Sequence, residues 1–370
     1  MTTVVIALDS FKGTIGANDA SAAVAAGWAS VDTGARLVRR PMADGGEGTV
    51  AAFASAFPDG IRMPIVVDGP AGTPVRTSWL RLPATPHAPG GTAVIDLAST
   101  SGIELLAEPR PLDADSRGFG QAVAAALDAG ASRLILGIGS SASTDGGTGV
   151  LRALGARFLD ATGGEIAVGA RGLRDLVRID LAGLRAAPDV LVLTDVVNPL
   201  AGPRGAAEVF GPQKGLADAD ERRRIDEDLR RLAGLYGLDP AAPGAGAAGG
   251  VGAALMVWGA RLVPGAAEVA RLISLREVIA PADLVVTGEG SFDGQSAEGK
   301  APSFVAGIAA EEHVPVALVA GRIQADPQAA GFRTSVSLTD LAGSSQEASA
   351  DPGRWLTAAG ARLAAEWNRL

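Results

Sequence analysis

The chain contains no cysteine, which excludes disulfides, iron–sulfur clusters and thiolate zinc sites together. Histidine is nearly as scarce. His87 and His313 are the only two, too few for a histidine-rich metal centre and a poor basis for a Ser-His-Asp triad. Cations are the minority charge, 32 Lys and Arg against 41 Asp and Glu for a formal charge of −9. Non-specific nucleic-acid binding needs a basic footprint and is disfavoured. An anionic substrate is not, because a local cluster opposes the global field. No apolar run approaches the roughly 20 residues of a membrane span. The short run Val4–Leu8 has no basic region before it, so it reads as a strand and not as a signal peptide. The expected location is the cytoplasm. Aromatics make up only 4% of the chain although 47% is hydrophobic. Ala, Val, Leu and Gly fill the gap, as in helix-on-sheet packing where small residues let elements approach closely.

A length of 370 residues predicts two domains. Val4–Leu8, a helical Ala17–Ser30 and a strand at Ala35–Arg40 open the chain as β-loop-α-β. Between Ile61 and Leu97 the pattern changes to short extended pieces broken by Pro and Gly, which suits an antiparallel hairpin region. Helical Phe119–Ala129 leads into the strand Arg133–Ile138, and Val190–Thr194 is a further strand ending at Asp195. Asp218–Leu235 reads as an amphipathic helix with Asp218 as N-cap and Ile225, Leu229 and Leu232 on its apolar face. Near the end, Leu284–Thr287, Pro315–Ala320 and Thr334–Leu338 add three apolar runs before the helix Arg354–Trp367. Added to the first two, they make five strands. The expected fold is α/β: a flavodoxin-like parallel-sheet domain built from both termini, 1–60 and 280–370, with a mixed α/β domain, 61–279, inserted. A small-molecule site is expected in the cleft between domains, at the carboxyl ends of strands.

Polar residues and glycines cluster where the apolar runs stop. The first two strands empty into Asp9-Ser10-Phe11-Lys12-Gly13-Thr14 and Asp44-Gly45-Gly46-Glu47-Gly48-Thr49. The middle of the chain contributes Gly139-Ser140-Ser141-Ala142-Ser143-Thr144-Asp145-Gly146-Gly147, Thr194-Asp195, Asn198-Pro199 and Phe210-Gly211-Pro212-Gln213-Lys214-Gly215. The third core strand ends in Gly288-Glu289-Gly290-Ser291-Phe292-Asp293-Gly294-Gln295, with Lys300 following. Glycine lets backbone N–H groups approach a ligand, and neighbouring carboxylates suit Mg²⁺, an oxygen-seeking partner of phosphates. Any one such loop is as well explained by a tight turn; six at strand ends point to a site.

Three stretches imitate nucleotide fingerprints. Gly294–Lys300 fits G-x-x-x-x-G-K, but Ala301 stands where a P-loop needs Ser or Thr. Gly137–Ala142 follows a strand and fits G-x-G-x-x-A with Asp160 downstream, yet Asp145-Gly146-Gly147 falls where a dinucleotide-binding helix should be running. Gly244–Gly249 fits G-x-G-x-x-G but follows Pro243 and no strand.

Taken in order, these blocks, with Gly246–Gly252 and Gly299-Lys300-Ala301-Pro302, resemble the bacterial two-domain glycerate kinase family across nearly the whole chain. Three positions depart from the expected pattern: Leu8 where proline is common, Thr194 where cysteine is frequent, and Val197 where a polar residue is usual. The resemblance implies Mg²⁺- and ATP-dependent transfer to a hydroxyl of D-glycerate, with 2-phosphoglycerate as the usual product. In such a reaction positioning and charge neutralisation do most of the work. Lys12 is then the candidate for the γ-phosphate, and Asp195 for the general base, with Asp44 or Asp293 as alternatives. Glu289 and Asp293 are the candidate metal ligands. For glycerate the candidates are Ser10, Gly45, Gly46, Glu47, Ser143, Thr144, Asp145, Asn198 and Lys214, with Ser140, Ser141 and Arg204 in support. For ATP phosphates they are Gly288, Gly290, Ser291 and Lys300. Two readings compete: an NAD(P)-dependent oxidoreductase using the Gly137–Ala142 turn, and a catalytically silent metabolite-binding relative. Neither the adenine pocket nor the choice between monomer and homodimer is legible at this level.

Overall fold

The computed structural model describes residues 1–11, 13–293 and 301–369. Two strands open the chain, β1 (Thr3–Leu8) and β2 (Arg36–Arg39). Eight follow in its middle: β3 (Ile61–Asp68), β4 (Pro74–Leu82), β5 (Thr92–Asp96), β6 (Arg133–Gly137), β7 (Arg157–Leu159), β8 (Arg178–Asp180), β9 (Asp189–Leu193) and β10 (Arg261–Val263). Three close it: β11 (Leu284–Phe292), β12 (Val316–Ile323) and β13 (Thr334–Ser337). The chain divides into two compact units. One holds Met1–Asp44, Ala51–Pro58 and Ala266–Leu370; the other holds Gly45–Val50 and Asp59–Gly265.

The first unit is a parallel five-stranded sheet in the order β13-β12-β11-β1-β2. Numbered within the sheet, that is the 2-1-3-4-5 order of a flavodoxin-like domain, the class expected for the chain's two ends. Val4–Leu8 of β1 are all 0% exposed, which explains their unbroken apolar run: a central parallel strand is covered on both faces. The helices Ala17–Val31 and Pro352–Trp367 pack together through Val24, Trp28, Leu356 and Leu363. A Cβ on Gly27 would stand 1.9 Å from the Thr357 carbonyl oxygen, and one on Gly360 2.1 Å from that of Val24. Backbone therefore meets backbone at this crossing.

The second unit carries a six-stranded sheet, β10-β9-β6-β5-β4-β3. Its β5, β6, β9 and β10 are parallel, while β4 and β3 run antiparallel as the hairpin expected after Ile61. The core gathers Phe119, Leu134, Leu136, Val190, Val192 and Leu229. The amphipathic helix runs Ala219–Tyr236; the Asp218 carboxylate accepts from Glu221 N–H at its start, and Gly237 ends it in the left-handed conformation. The strand–helix alternation did not reveal the helix Thr49–Ala56, and the apolar segment after Gly252 divides into the helix Val251–Trp258 and β10. Among the described residues no helix is long and apolar enough to cross a membrane.

Candidate active site

In the first unit, chemistry-bearing residues collect at the carboxyl ends of β1 and β11, which are neighbours in the sheet. Strand order reverses at this pair, and open α/β sheets bind ligands at such a switch point. Asp9 follows β1 directly; its N–H donates to Gly288 O at 2.9 Å, and its carboxylate accepts from Ser10 N–H at 2.7 Å. Beside it β11 carries Gly288, Glu289, Gly290 and Ser291. A Cβ on Gly288 would lie 1.8 Å from Val319 O, so this glycine serves strand packing. Glu289 is 8% exposed; Ser10, Gly290, Ser291 and Asp293 are half-buried. Asp44, also half-buried, closes the first unit's opening segment. Lys12, Lys300 and the Gly294–Lys300 decoy lie outside the described residues. No group of three or more His, Asp and Glu able to hold a metal occurs among the described residues.

In the second unit four glycine-rich loops interlock over the carboxyl ends of β5, β6 and β9. The first is Gly45–Val50. Gly139 N–H donates to Gly45 O at 2.9 Å, and a Cβ on Gly45 would stand 2.3 Å from Leu193 O. Gly45 also has φ +93, so two independent reasons require glycine there. Asp96, 4% exposed at the end of β5, accepts from Val50 N–H at 3.3 Å and Ser99 N–H at 3.0 Å. The Gly244–Gly252 loop closes the other side. Gly246 N–H donates to Asn198 O, Gly146 N–H donates to Gly249 O, and a Cβ on Gly249 would lie 2.0 Å from Ser143 O.

Asp145 organises this centre. It is 0% exposed, and a buried carboxylate must find donors. It has five: Ser116 N–H and Oγ–H, Ser143 Oγ–H, Gly147 N–H and Gly149 N–H, at 2.6 to 3.2 Å. Asp115 is buried beside it. Burial, with the Asp145 carboxylate adjacent, pushes the Asp115 carboxyl up to about 7. Lys214 is 3% exposed; its ammonium donates to Ser141 Oγ at 2.7 Å and to Ser143 O at 2.6 Å. Burial lowers its pKa to about 7, and the charge of Asp145 opposes that shift.

The sequence reading grouped Ser143, Thr144, Asp145 and Lys214 as substrate contacts. All four are inside the protein, the first three at 0% exposure; the polar groups of Ser143, Asp145 and Lys214 build the loop, while the Thr144 hydroxyl is buried without a hydrogen-bond partner. Asn198 is likewise engaged, donating from Nδ2 to Arg204 O at 2.8 Å. Four other candidates stay accessible: Glu47, Ser140, Asp195 and Arg204. Ser140 leaves β6 with φ 59, a conformation that a non-glycine residue adopts only under constraint. Asp195 leaves the neighbouring β9, and its Oδ1 accepts from Gly265 N–H at 2.8 Å. Val197 is 73% exposed, so its departure from the family pattern disturbs no core. The reading missed Asp96, Asp115 and Ser116. The Asp115-Ser116 pair just before a helix was visible as a capping signal, but nothing local pointed to its partner Asp145. The dinucleotide alternative loses its basis here. The next helix after Gly137–Ala142 starts only at Thr148, and Gly146 and Gly147 before it are both left-handed.

Comparison with known proteins agrees with this architecture. The family model described as the glycerate kinase family matches residues 4–368. A glycerate kinase of Bacillus subtilis (strain 168) is 42% identical over 337 residues, covering 88% of this chain and 86% of the relative. A glycerate 2-kinase of Escherichia coli (strain K12) is 42% identical over 334 residues, 87% of this chain and 86% of the relative. A solved structure from Salmonella typhimurium LT2, described as a glycerate kinase 2, superposes with a TM-score of 0.82 at 37% identity, covering 100% of this chain and 98% of that one. With its sheet order, its glycine-lined strand ends and a family match across almost its full length, this chain belongs to the glycerate kinase family.

Proposed function

We propose that the protein transfers the γ-phosphoryl group of ATP to a hydroxyl of D-glycerate, giving 2-phosphoglycerate and ADP, in the cytoplasm. The observation that carries this reading is that one chain, 42% identical to a glycerate 2-kinase, holds a switch-point site with Asp9 and Glu289 in its first unit and a glycine-lined site with Asp195 and Ser140 in its second. In this reading the substrate hydroxyl oxygen attacks the γ-phosphorus while the bond to the bridging β,γ-oxygen breaks. Asp195 accepts the hydroxyl proton and ADP departs. Backbone N–H groups of the Gly45–Gly48 turn and the Ser140 hydroxyl are suited to the glycerate carboxylate. Lys12 supplies a compact positive charge for the transferring phosphoryl oxygens. Gly290 and Ser291, half-buried near the end of β11, are suited to the ATP phosphates. Glu289 and Asp293 would hold Mg²⁺, which supplies charge neutralisation on those phosphates.

A coupled ADP-release assay with ATP, Mg²⁺ and D-glycerate, followed by phosphorus NMR of the product, tests this. The expected result is ADP formation that depends on D-glycerate, and a phosphomonoester on the secondary hydroxyl. ADP release indifferent to glycerate would remove the substrate assignment. A 3-phosphoglycerate signal would keep the kinase and overturn the regiochemistry.

A further inference from the structure

We propose that Lys214 is a positioning residue: its buried ammonium fastens the loop from Gly139 to Gly147 in its working shape and never meets the substrate. The proposal rests on the kinase reading above and gives this lysine a different task from carboxylate binding.

Lys214 ends a single 3₁₀ turn, Pro212–Lys214, and Gly215 follows in the left-handed conformation with Pro109 and Pro111 packed over it. This turn projects the side chain inward. Lys214 is buried at 3% exposure, and the two bonds of its ammonium go to the loop itself, to Ser141 Oγ and Ser143 O. Those residues flank Ala142 and immediately follow Ser140, the exposed residue held at φ 59. The backbone of the same segment is pinned from the other side, where Ile103 N–H donates to Ser140 O and Ala142 N–H to Ser101 O. Lys214 supplies the side-chain half of that clamp.

Charge explains why the clamp is a lysine. The loop's organiser, Asp145, and its neighbour Asp115 are both buried. Around them stand the hydroxyl of Tyr236, which donates to Gly146 O, the half-buried Arg152 of the helix Thr148–Ala153, and Lys214. Lys214 is the cation among these that bonds the loop directly. A neutral side chain of equal bulk would fill the space and leave the Asp145 carboxylate short of a counter-charge.

The lack of cysteine makes a clean test available. Lys214→Cys creates the chain's one thiol. Alkylation in denaturant with 2-bromoethylamine gives a thioether ammonium of lysine length, and bromopropane gives a neutral adduct of similar bulk. Both are refolded and assayed beside Lys214→Met and wild type. The expected result is a loss of about 100-fold in kcat for Lys214→Met, with the glycerate KM changed less than about threefold, as misplacement of reacting groups produces. The charged adduct should recover at least about a tenth of wild-type kcat and the neutral adduct should not, as the missing counter-charge requires. Equal recovery by both adducts would reduce Lys214 to a space filler, and recovery by neither would remove the role of charge. A glycerate KM raised more than about 30-fold at near-normal kcat would make it a substrate contact. Hydrogen exchange on ligand-free protein supplies a readout independent of turnover: residues 139–147 lose protection in Lys214→Met while β6 keeps it. Should wild type fail to turn over glycerate, that measurement still decides the clamp, and the kinase reading fails alone.

Discussion

Asp195 is exposed at the end of β9 and anchored through one oxygen by Gly265 N–H, a fixed orientation that suits a group which must take a proton and release it to solvent. Asn is nearly isosteric and cannot accept that proton at neutral pH. Asp195→Asn should therefore fold normally and bind ATP while kcat falls about 10²–10⁴-fold. If Asp195 instead served Mg²⁺, raising the metal concentration would restore the rate, so a Mg²⁺ titration of both proteins separates the roles. Asp115 governs a different property. Its carboxyl is raised from 3.8 to about 7, so the folded protein keeps a proton that the unfolded chain has already released. The resulting stabilisation is full below the unfolded value and is lost as pH rises through about 7. Urea unfolding at pH 5 and pH 8 should show wild type losing up to about 3 kcal/mol relative to Asp115→Asn across that window. Parallel pH profiles for the two proteins would show that Asp115 ionises normally.

At the scale of elements, close approach decides more than propensity. The helices Ala17–Val31 and Pro352–Trp367 cross with Gly27 and Gly360 against backbone oxygens. Gly360→Ala adds a helix-favouring residue, which propensity alone would score as stabilising by up to about 1 kcal/mol. The added Cβ would meet Val24 O at 2.1 Å, and overpacking of this kind costs about 1–3 kcal/mol or more. The net change in a urea titration should be destabilising; a stabilised variant would mean the crossing relaxes freely. The outer strand β3 shows the opposite concern, keeping other chains away. Asp68 N–H turns away from β4 to Gln121 Oε1, and by the two-residue repeat of a strand Pro64 faces the same open edge. Its missing N–H removes a donor that a foreign strand would use.

The whole molecule joins two units with very different chain logic. The first depends on β1 pairing with β11 across 280 residues of sequence, with the Thr287 hydroxyl donating to Ala7 O among other contacts. The second is nearly continuous and has its own core. Long-range pairing is slow because loop closure must precede its reward. A fragment spanning 45–265 should accordingly fold cooperatively by itself, while 1–58 alone should not, since β1 would lack its partner. Circular dichroism with urea titration of each fragment checks this; a structureless 45–265 fragment would mean the second unit depends on the first.

Local patterns carried a large part of this protein. Apolar runs of strand length, the spacing of Ile225, Leu229 and Leu232, and the cap at Asp218 depend only on neighbours in sequence, and all reappear in the structure. The five strands are legible in the same way, but their order rests on pairing across the chain, and β11 runs on through Gly288–Ser291, which the sequence places in a loop after Thr287. Exposure of the loop residues was decided elsewhere. Asp145 reads as an accessible acid until Ser116, 29 positions away, donates to it, and Ser143 until Lys214, 71 positions away, arrives at its carbonyl. Likewise Gly45–Val50, which follows β2 in the chain, belongs to the second unit because Gly45 fits against Leu193 and Gly139. Periodicity records which side of an element is apolar. Whether a carboxylate or an ammonium is buried depends on the donors and acceptors that distant segments bring to it, and only the tertiary structure assembles those.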